Sequence, residues 1–240
     1  MVGIKSDLGN IRTLNEDYAD FYECKNYKVF VLADGMGGHN AGEVASETAS
    51  KAFIKYIKEN INFEVEKDLL LKNAFRYANL KVYNLAKYSE KLAGMGTTLV
   101  ACLIDKDKIF IGNVGDSGCF GIRDNEVKKI TKDHSLVQEL LDSGNISIEQ
   151  AINHPKKNVI TRAIGTEEEV EVDLFELDKG SFDFFLMCSD GLSNDIDINK
   201  VLSFNIKKEE LQTICEELVN NAKNNGGRDN ITVMLFEGEV

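Results

Sequence analysis

Apolar residues recur at helical spacing in three stretches. Ala45, Thr48, Ala49, Ala52, Phe53 and Tyr56 share one face of a helix predicted over about 42–61, and Leu70, Ala74, Tyr77, Ala78, Leu85 and Tyr88 share one face over about 66–92. A third stripe, Leu211, Ile214, Cys215, Leu218, Val219 and Ala222, predicts a helix over about 208–223 that Gly226-Gly227 ends. Short apolar runs between turn residues predict strands at 18–22, 27–33, 97–104, 108–113, 118–123, 126–131, 170–177, 182–188 and 231–236. The turns Asp105-Lys106-Asp107 and Asp124-Asn125 are too short for crossover helices, so 97–131 reads as an antiparallel meander. Two short helices are expected after it. One lies over 132–144; the other opens at the capping box Ser147-Ile148-Glu149-Gln150 and stops at His154-Pro155. Residues 3–17 are polar and read as a solvated loop ending in a charged knot, Arg12 and Glu16-Asp17. With no repeat or linker, 1–240 reads as one α+β domain, two antiparallel strand blocks packed face to face with helices outside.

Composition narrows the function. The formal net charge of −12 over 240 residues argues against a nucleic-acid or anionic-membrane surface. Five widely spaced cysteines without a C-x-x-C read as reduced thiols, with Cys102 and Cys188 in the core. The N-terminus lacks an apolar segment of signal-peptide length, and no run approaches a membrane span. A cytoplasmic monomer without nucleic-acid or membrane partners is the expectation.

The candidate chemistry begins at Val29–His39, VFVLADGMGGH. An apolar run gives way to Asp34-Gly35, and Gly35, Gly37 and Gly38 fall within four positions. Alone this reads as an Asp-Gly turn closing a hairpin. Three further aspartates occupy similar places: Asp116 in GNVGDS, Asp190 in CSDGLS, and Asp229 just before the last strand. If those strand ends meet at one edge of a sandwich, four carboxylates crowd together and repel, which hard divalent cations relieve. All-oxygen donors suit Mg²⁺ or Mn²⁺ rather than zinc. Two such metals, about 3.5–4 Å apart, activate a water and clamp the oxygens of an in-line displacement. Arg12 is the candidate for holding a phosphate bidentately. A P-loop, a kinase signature set, a G-x-S-x-G elbow and a complete G-x-G-x-x-G are all missing from the sequence.

The chain resembles the metal-dependent protein serine/threonine phosphatases of type 2C (the PPM family) in their compact bacterial form. SDLGNIRTLNED (6–17), VLADGMGGHNAGEVAS (31–46), GMGTT (94–98), GNVGDS (112–117), TKDHSLV (131–137), HPKKNVITRAIG (154–165), LMCSDGLS (186–193) and GGRDNITV (226–233) carry the resemblance in family order. It implies a four-layer α-β-β-α sandwich with a binuclear Mn²⁺ or Mg²⁺ centre. Asp34 would bridge the metals, with the Gly35 carbonyl on one and Asp190 and Asp229 on the other. Glu16 and Asp17 would hold metal-bound waters, Asp116 with Asp190 a third metal, and Arg12 the phosphate. Residues at about 144–168 match a mobile flap.

Two positions depart from the family pattern. Met36 stands where eukaryotic members carry a histidine proposed as general acid, leaving a metal-bound water or His39 to protonate the leaving oxygen. Gly118 follows GDS in place of the usual arginine. The implied function is hydrolysis of phosphoserine and phosphothreonine on proteins by metal-activated water, opposing a Ser/Thr kinase. The competing readings are a catalytically silent binding module of the same fold and a small-molecule phosphoesterase.

Overall fold

The computed structural model describes residues 1–37, 41–62 and 66–239. In chain order the elements are β1 (Val2–Asp7), β2 (Asp17–Glu23), β3 (Lys28–Met36), α1 (Ala41–Asn60), α2 (Lys67–Tyr88), β4 (Gly96–Thr97), β5 (Leu99–Ile104) and β6 (Lys108–Val114). Then follow β7 (Gly118–Arg123), β8 (Glu126–Lys129), α3 (Leu136–Asp142), α4 (Ile148–Ile152), β9 (Asp173–Asp178), β10 (Phe184–Cys188), α5 (Asp190–Ser193), α6 (Leu211–Asn224) and β11 (Ile231–Glu237). Short 3₁₀ turns at Glu90–Leu92, Ile198–Phe204 and Lys208–Glu210 complete the set.

The strands form two antiparallel sheets, β1-β11-β10-β7-β8 and β2-β3-β5-β6-β9, with β4 continuing the second beside β3. Three apolar clusters show how they stack. Phe30, Leu32, Val100, Cys102 and Ile111 of one sheet meet Cys119, Phe185, Met187, Met234 and Phe236 of the other. The alternate residues of β3 and β5, among them Val29, Val31, Leu99 and Ala101, face Phe53, Ile57, Leu71 and Phe75 of α1 and α2. On the opposite side Leu186, Val233 and Leu235 face Ile214, Leu218 and Ala222 of α6. Central strands are therefore covered on both faces, which is why they read as continuous apolar runs instead of alternating ones. The expected α-β-β-α layering is what the chain forms. Cys102 and Cys188 lie in the core as expected, and all five cysteines are free thiols.

The elements differ from the sequence reading in four places. Part of the polar N-terminal segment is a strand: β1 pairs with β11 along its whole length, Val2 opposite Phe236 and Asp7 opposite Ile231. The expected meander is split between layers. β5 and β6 pair in one sheet and β7 and β8 in the other, so the chain changes sheets between Val114 and Gly118. Gly115 makes that change at φ 107°, a backbone conformation that side chains disfavour. The helix expected from about residue 132 begins at Leu136, where the Ser135 hydroxyl accepts from the Gln138 N–H as an N-cap. Finally, β3 does not stop at Asp34. After β5 has paired with Lys28–Leu32, β4 takes over opposite Gly35 and Met36. The hairpin-turn reading of Asp34-Gly35 is thereby excluded.

Candidate metal and phosphate site

The site lies where the two sheets' ends meet. Asp17 of β2 stands opposite Asp34 of β3 in the strand register, placing two carboxylates side by side in one sheet. Asp116 follows the sheet change after β6, Asp190 opens α5 directly after β10, and Asp229 precedes β11. Arg12, Glu16, Asp34, Gly35, Asp116, Asp190 and Asp229 all line one cleft of ≈ 230 Å³, and Asp17 is buried beside it. Every site residue expected from the sequence is thus brought to this place except His39, which lies outside the described residues.

Threonine and glycine residues fix the Asp34 backbone. The Asp34 N–H donates to Thr98 Oγ1 at 2.8 Å, and its carbonyl accepts from the Thr98 N–H at 2.9 Å and the Thr97 hydroxyl at 2.9 Å. The Thr98 hydroxyl in turn meets Ser117 Oγ at 2.8 Å, tying Asp34 to the Asp116 segment. Gly35 donates its N–H to the Glu16 carbonyl at 3.0 Å, and a Cβ there would stand 2.6 Å from that oxygen. No side chain fits so close an approach. Asp17 Oδ2 accepts from the Ser189 hydroxyl at 2.8 Å, which links the sheets behind the cleft.

The 8–16 loop is organised by Asn230, a buried side chain that the sequence reading passed over. Its amide donates to the carbonyls of Leu8 at 3.1 Å and Leu14 at 2.9 Å, and its Oδ1 accepts from the Glu16 N–H at 2.9 Å. Arg12 is delivered to the cleft by this loop and donates to Asp229 Oδ2 at 2.8 Å. Asn230→Ala removes the partner of the Leu8 and Leu14 carbonyls and of the Glu16 N–H and releases the loop. A loss of about 1–3 kcal/mol in urea unfolding and a 10–100-fold weaker metal affinity by titration calorimetry are expected.

Burial, with crowding behind it, raises Glu16, Asp17, Asp34, Asp116 and Asp190. Burial, reinforced by Asp190 and Asp229, lifts Asp17 to about 7. Burial together with Asp190 and Asp133 lifts Asp116 to about 7, and burial together with Asp229 lifts Asp190 to about 6. Asp34 is driven well above the usual carboxylate range by burial and by all four neighbouring aspartates. Glu16 is raised by burial, against the opposing pull of Arg12 and the Gly42 N–H.

The donor set suits a hard divalent cation. It is all oxygen, its charges repel one another, and Asp17 Oδ1 is buried with no hydrogen-bond partner. The side chains present are held by protein partners: Asp229 by Arg12 and Asp190 by the Asn194 amide at 3.0 Å. Among the described residues, no three His, Cys, Asp or Glu side chains are already arranged around a common ion position. The residues fit such an ion by their chemistry and convergence, with the carboxylate rotamers set by these partners.

A family model described as protein phosphatase 2C matches residues 11–235. The chain belongs to the protein phosphatase 2C family. The serine/threonine phosphatase Stp of Listeria welshimeri is 40% identical over 236 residues, covering 97% of this chain and 94% of that protein. Crystalline Stp1 from Staphylococcus aureus superposes with a TM-score of 0.90 at 33% identity, covering 98% of this chain and 94% of that one. The catalytic domain of the phosphatase PstP, solved in complex with two manganese ions, superposes at 0.84 with 34% identity, covering 98% of this chain and 96% of that one. Against this family background, Thr97, Thr98, Ser117, Ser189 and Asn230 are the site residues that sequence reasoning missed. All five fall inside stretches that carried the resemblance as strings: GMGTT, GNVGDS, LMCSDGLS and GGRDNITV. For Ser117, Ser189 and Asn230 the signal was a small hydroxyl or amide residue adjoining an aspartate; Thr97 and Thr98 adjoin none.

His134 has a specific structural task. Its Nδ1 accepts from the Gly115 N–H at 3.1 Å while Nε2 lies 3.2 Å from Asp173 Oδ2. The same Asp173 receives Arg162 at 2.8 Å. This trio fastens the sheet-changing segment that carries Asp116.

Proposed function

We propose that the chain hydrolyses phosphoserine and phosphothreonine esters on proteins as a single phosphatase domain, with 144–168 as its flap. The observation that carries the reading is the convergence of Asp34, Asp190, Asp229 and Arg12 from four separate segments on one cleft. Asp34, the Gly35 carbonyl, Asp190 and Asp229 would hold two Mn²⁺ or Mg²⁺ ions, and Glu16 and Asp17 would orient water about them. Asp116 with Asp190 would take a third ion. When bound, the metals supply Lewis-acid activation of water and neutralise the phosphoryl oxygens.

The chain's own groups perform the remaining work. Arg12 presents its guanidinium to the phosphoryl oxygens, exchanging Asp229 for a substrate anion of matching geometry. Thr98 and Thr97 hold the Asp34 backbone so that its carboxylate needs no rearrangement during the reaction. Ile160 and Asn158 of the flap line the cleft together with Arg12 and restrict water there. His39 is one proton donor for the departing serine or threonine oxygen, and a water in the cleft is the other. Phosphoproteins made by a Ser/Thr kinase are the partners this chemistry requires. Among the described residues no helix is long and apolar enough to cross a membrane.

Phosphate release from a phosphothreonine peptide tests the reading. Release is expected with Mn²⁺, lost in excess chelator and recovered when Mn²⁺ is restored. Release that survives complete chelation would refute it.

A further inference from the structure

The flap carries a cation that the proposed chemistry does not use. Lys157 reaches out of the turn 154–159 and donates from Nζ to Asn194 Oδ1 at 3.3 Å. The same Asn194 amide donates from Nδ2 to Asp190 Oδ2 at 3.0 Å. One side-chain amide therefore separates the Lys157 ammonium from a carboxylate of the cleft. Lys157 takes part in no ion pair among the described residues, whereas Arg12 is paired with Asp229. Its chain neighbour Asn158 lines the cleft, so the ammonium stands at the rim. Its charge reaches the interior, acting on Asp190 alongside Arg12.

A substrate peptide crossing this rim meets an otherwise hostile field. The chain's formal net charge is −12, and five aspartates and a glutamate surround the phosphate position. An acidic residue beside the phosphoresidue is tolerated only where a cation answers it. An extended peptide advances about 3.3–3.6 Å per residue, so side chains one or two places from the phosphoresidue fall at the rim, not over the metals.

Resting on the phosphoprotein reading above, we propose that Lys157 is a specificity-determining residue that selects phosphopeptides bearing an Asp or Glu within about two residues of the phosphoresidue. Its partner in the free protein is a neutral amide at the long end of hydrogen-bond range, so a carboxylate displaces it at little cost. Arg12 remains committed to the phosphoryl group, which separates recognition of the phosphate from recognition of its surroundings.

The test compares two phosphothreonine peptides that differ only in Glu or Gln flanking the phosphothreonine, with p-nitrophenyl phosphate as a substrate lacking flanks. All are assayed with Mn²⁺ on the wild type and on Lys157→Gln, Lys157→Arg and Lys156→Ala. The wild type is expected to prefer the Glu peptide about threefold in kcat/KM, through KM, the size of a partly exposed ion pair. Lys157→Gln abolishes the preference, Lys157→Arg restores it, Lys156→Ala keeps it, and the p-nitrophenyl phosphate rate stays within a factor of two throughout. An equal wild-type rate on both peptides, or a preference that survives Lys157→Gln, overturns the proposal. A Lys157→Gln loss as large on p-nitrophenyl phosphate as on the Glu peptide also overturns it, assigning Lys157 to positioning Asp190 through Asn194. A wild type that cleaves p-nitrophenyl phosphate but neither peptide refutes the phosphoprotein reading as well.

Discussion

Asp34→Asn is expected to lower Mn²⁺-dependent phosphate release by about 10³-fold or more, equivalent to several kcal/mol of transition-state stabilisation. Asp34 is the carboxylate that all the others surround: Asp17, Asp190, Asp116 and Asp229 each raise it. The asparagine keeps the side-chain volume and leaves the backbone clamp of Thr97 and Thr98 untouched, because those bonds are to the Asp34 main chain and not its side chain. The fold should therefore survive. Metal-free Asp34→Asn is expected to melt above the metal-free wild type at pH 8, since one charge leaves a buried, repelling cluster. Lost activity with raised metal-free stability would separate a functional from a structural role. A variant that melts lower, or that keeps activity within tenfold, would refute the assignment.

The sequence made the layered core visible because β3, β5, β10 and β11 are apolar on both faces, as burial between a helix layer and a second sheet demands. The stripes of α1, α2 and α6 were equally plain, and their bounds shifted by only a few residues. β1 was hidden for a physical reason. It is an edge strand with polar Lys5, Ser6 and Asp7, and among the described residues its one strand partner, β11, lies at the far end of the chain. No local pattern carries information about a partner so distant. The sheet change at Gly115 was hidden likewise: short connections establish antiparallel neighbours within one sheet or a step between two, and spacing alone does not tell these apart.

The four aspartates were legible as a recurring theme, apolar strand then Asp beside Gly or Asn, but their convergence was not. It depends on β2 and β3 in one sheet meeting β10 and β11 in the other across the cluster that contains Phe30, Phe185 and Phe236. Ser189 joining Asp17 and Asn230 gripping the 8–16 loop are contacts between segments about 170 to 220 positions apart. The candidate ligands could be named from residue type and resemblance. The residues that aim them became visible only with the two sheets in place.

The metal-free protein is expected to lose stability as pH rises from 5 to 8, and Mn²⁺ is expected to restore it. Asp17 and Asp116 at about 7 and Asp190 at about 6 lie above the ordinary aspartate value of 3.8, and Asp34 is raised as well. A carboxyl group raised in the folded state binds more protons folded than unfolded between those values. Its contribution is present in full below about 4 and is lost by the time the pH has passed its folded value. Groups shifted the other way, Asp7 and Asp173 held low by Lys223 and by His134 with Arg162, respond below pH 4 and leave this window untouched. The loss from pH 5 to 8 should reach several kcal/mol, about 5–10 °C in melting temperature for a chain of this size. Mn²⁺ at about 100 times its dissociation constant returns about 2.7 kcal/mol per site at pH 8. At pH 5 protons occupy the same oxygens, so the Mn²⁺ effect should shrink to a degree or two. Thermal melts at both pH values, with chelator and with Mn²⁺, read all four quantities. A metal-free protein that melts higher at pH 8 than at pH 5, or an equal Mn²⁺ shift at both, would show that the crowded aspartates do not form a cation site.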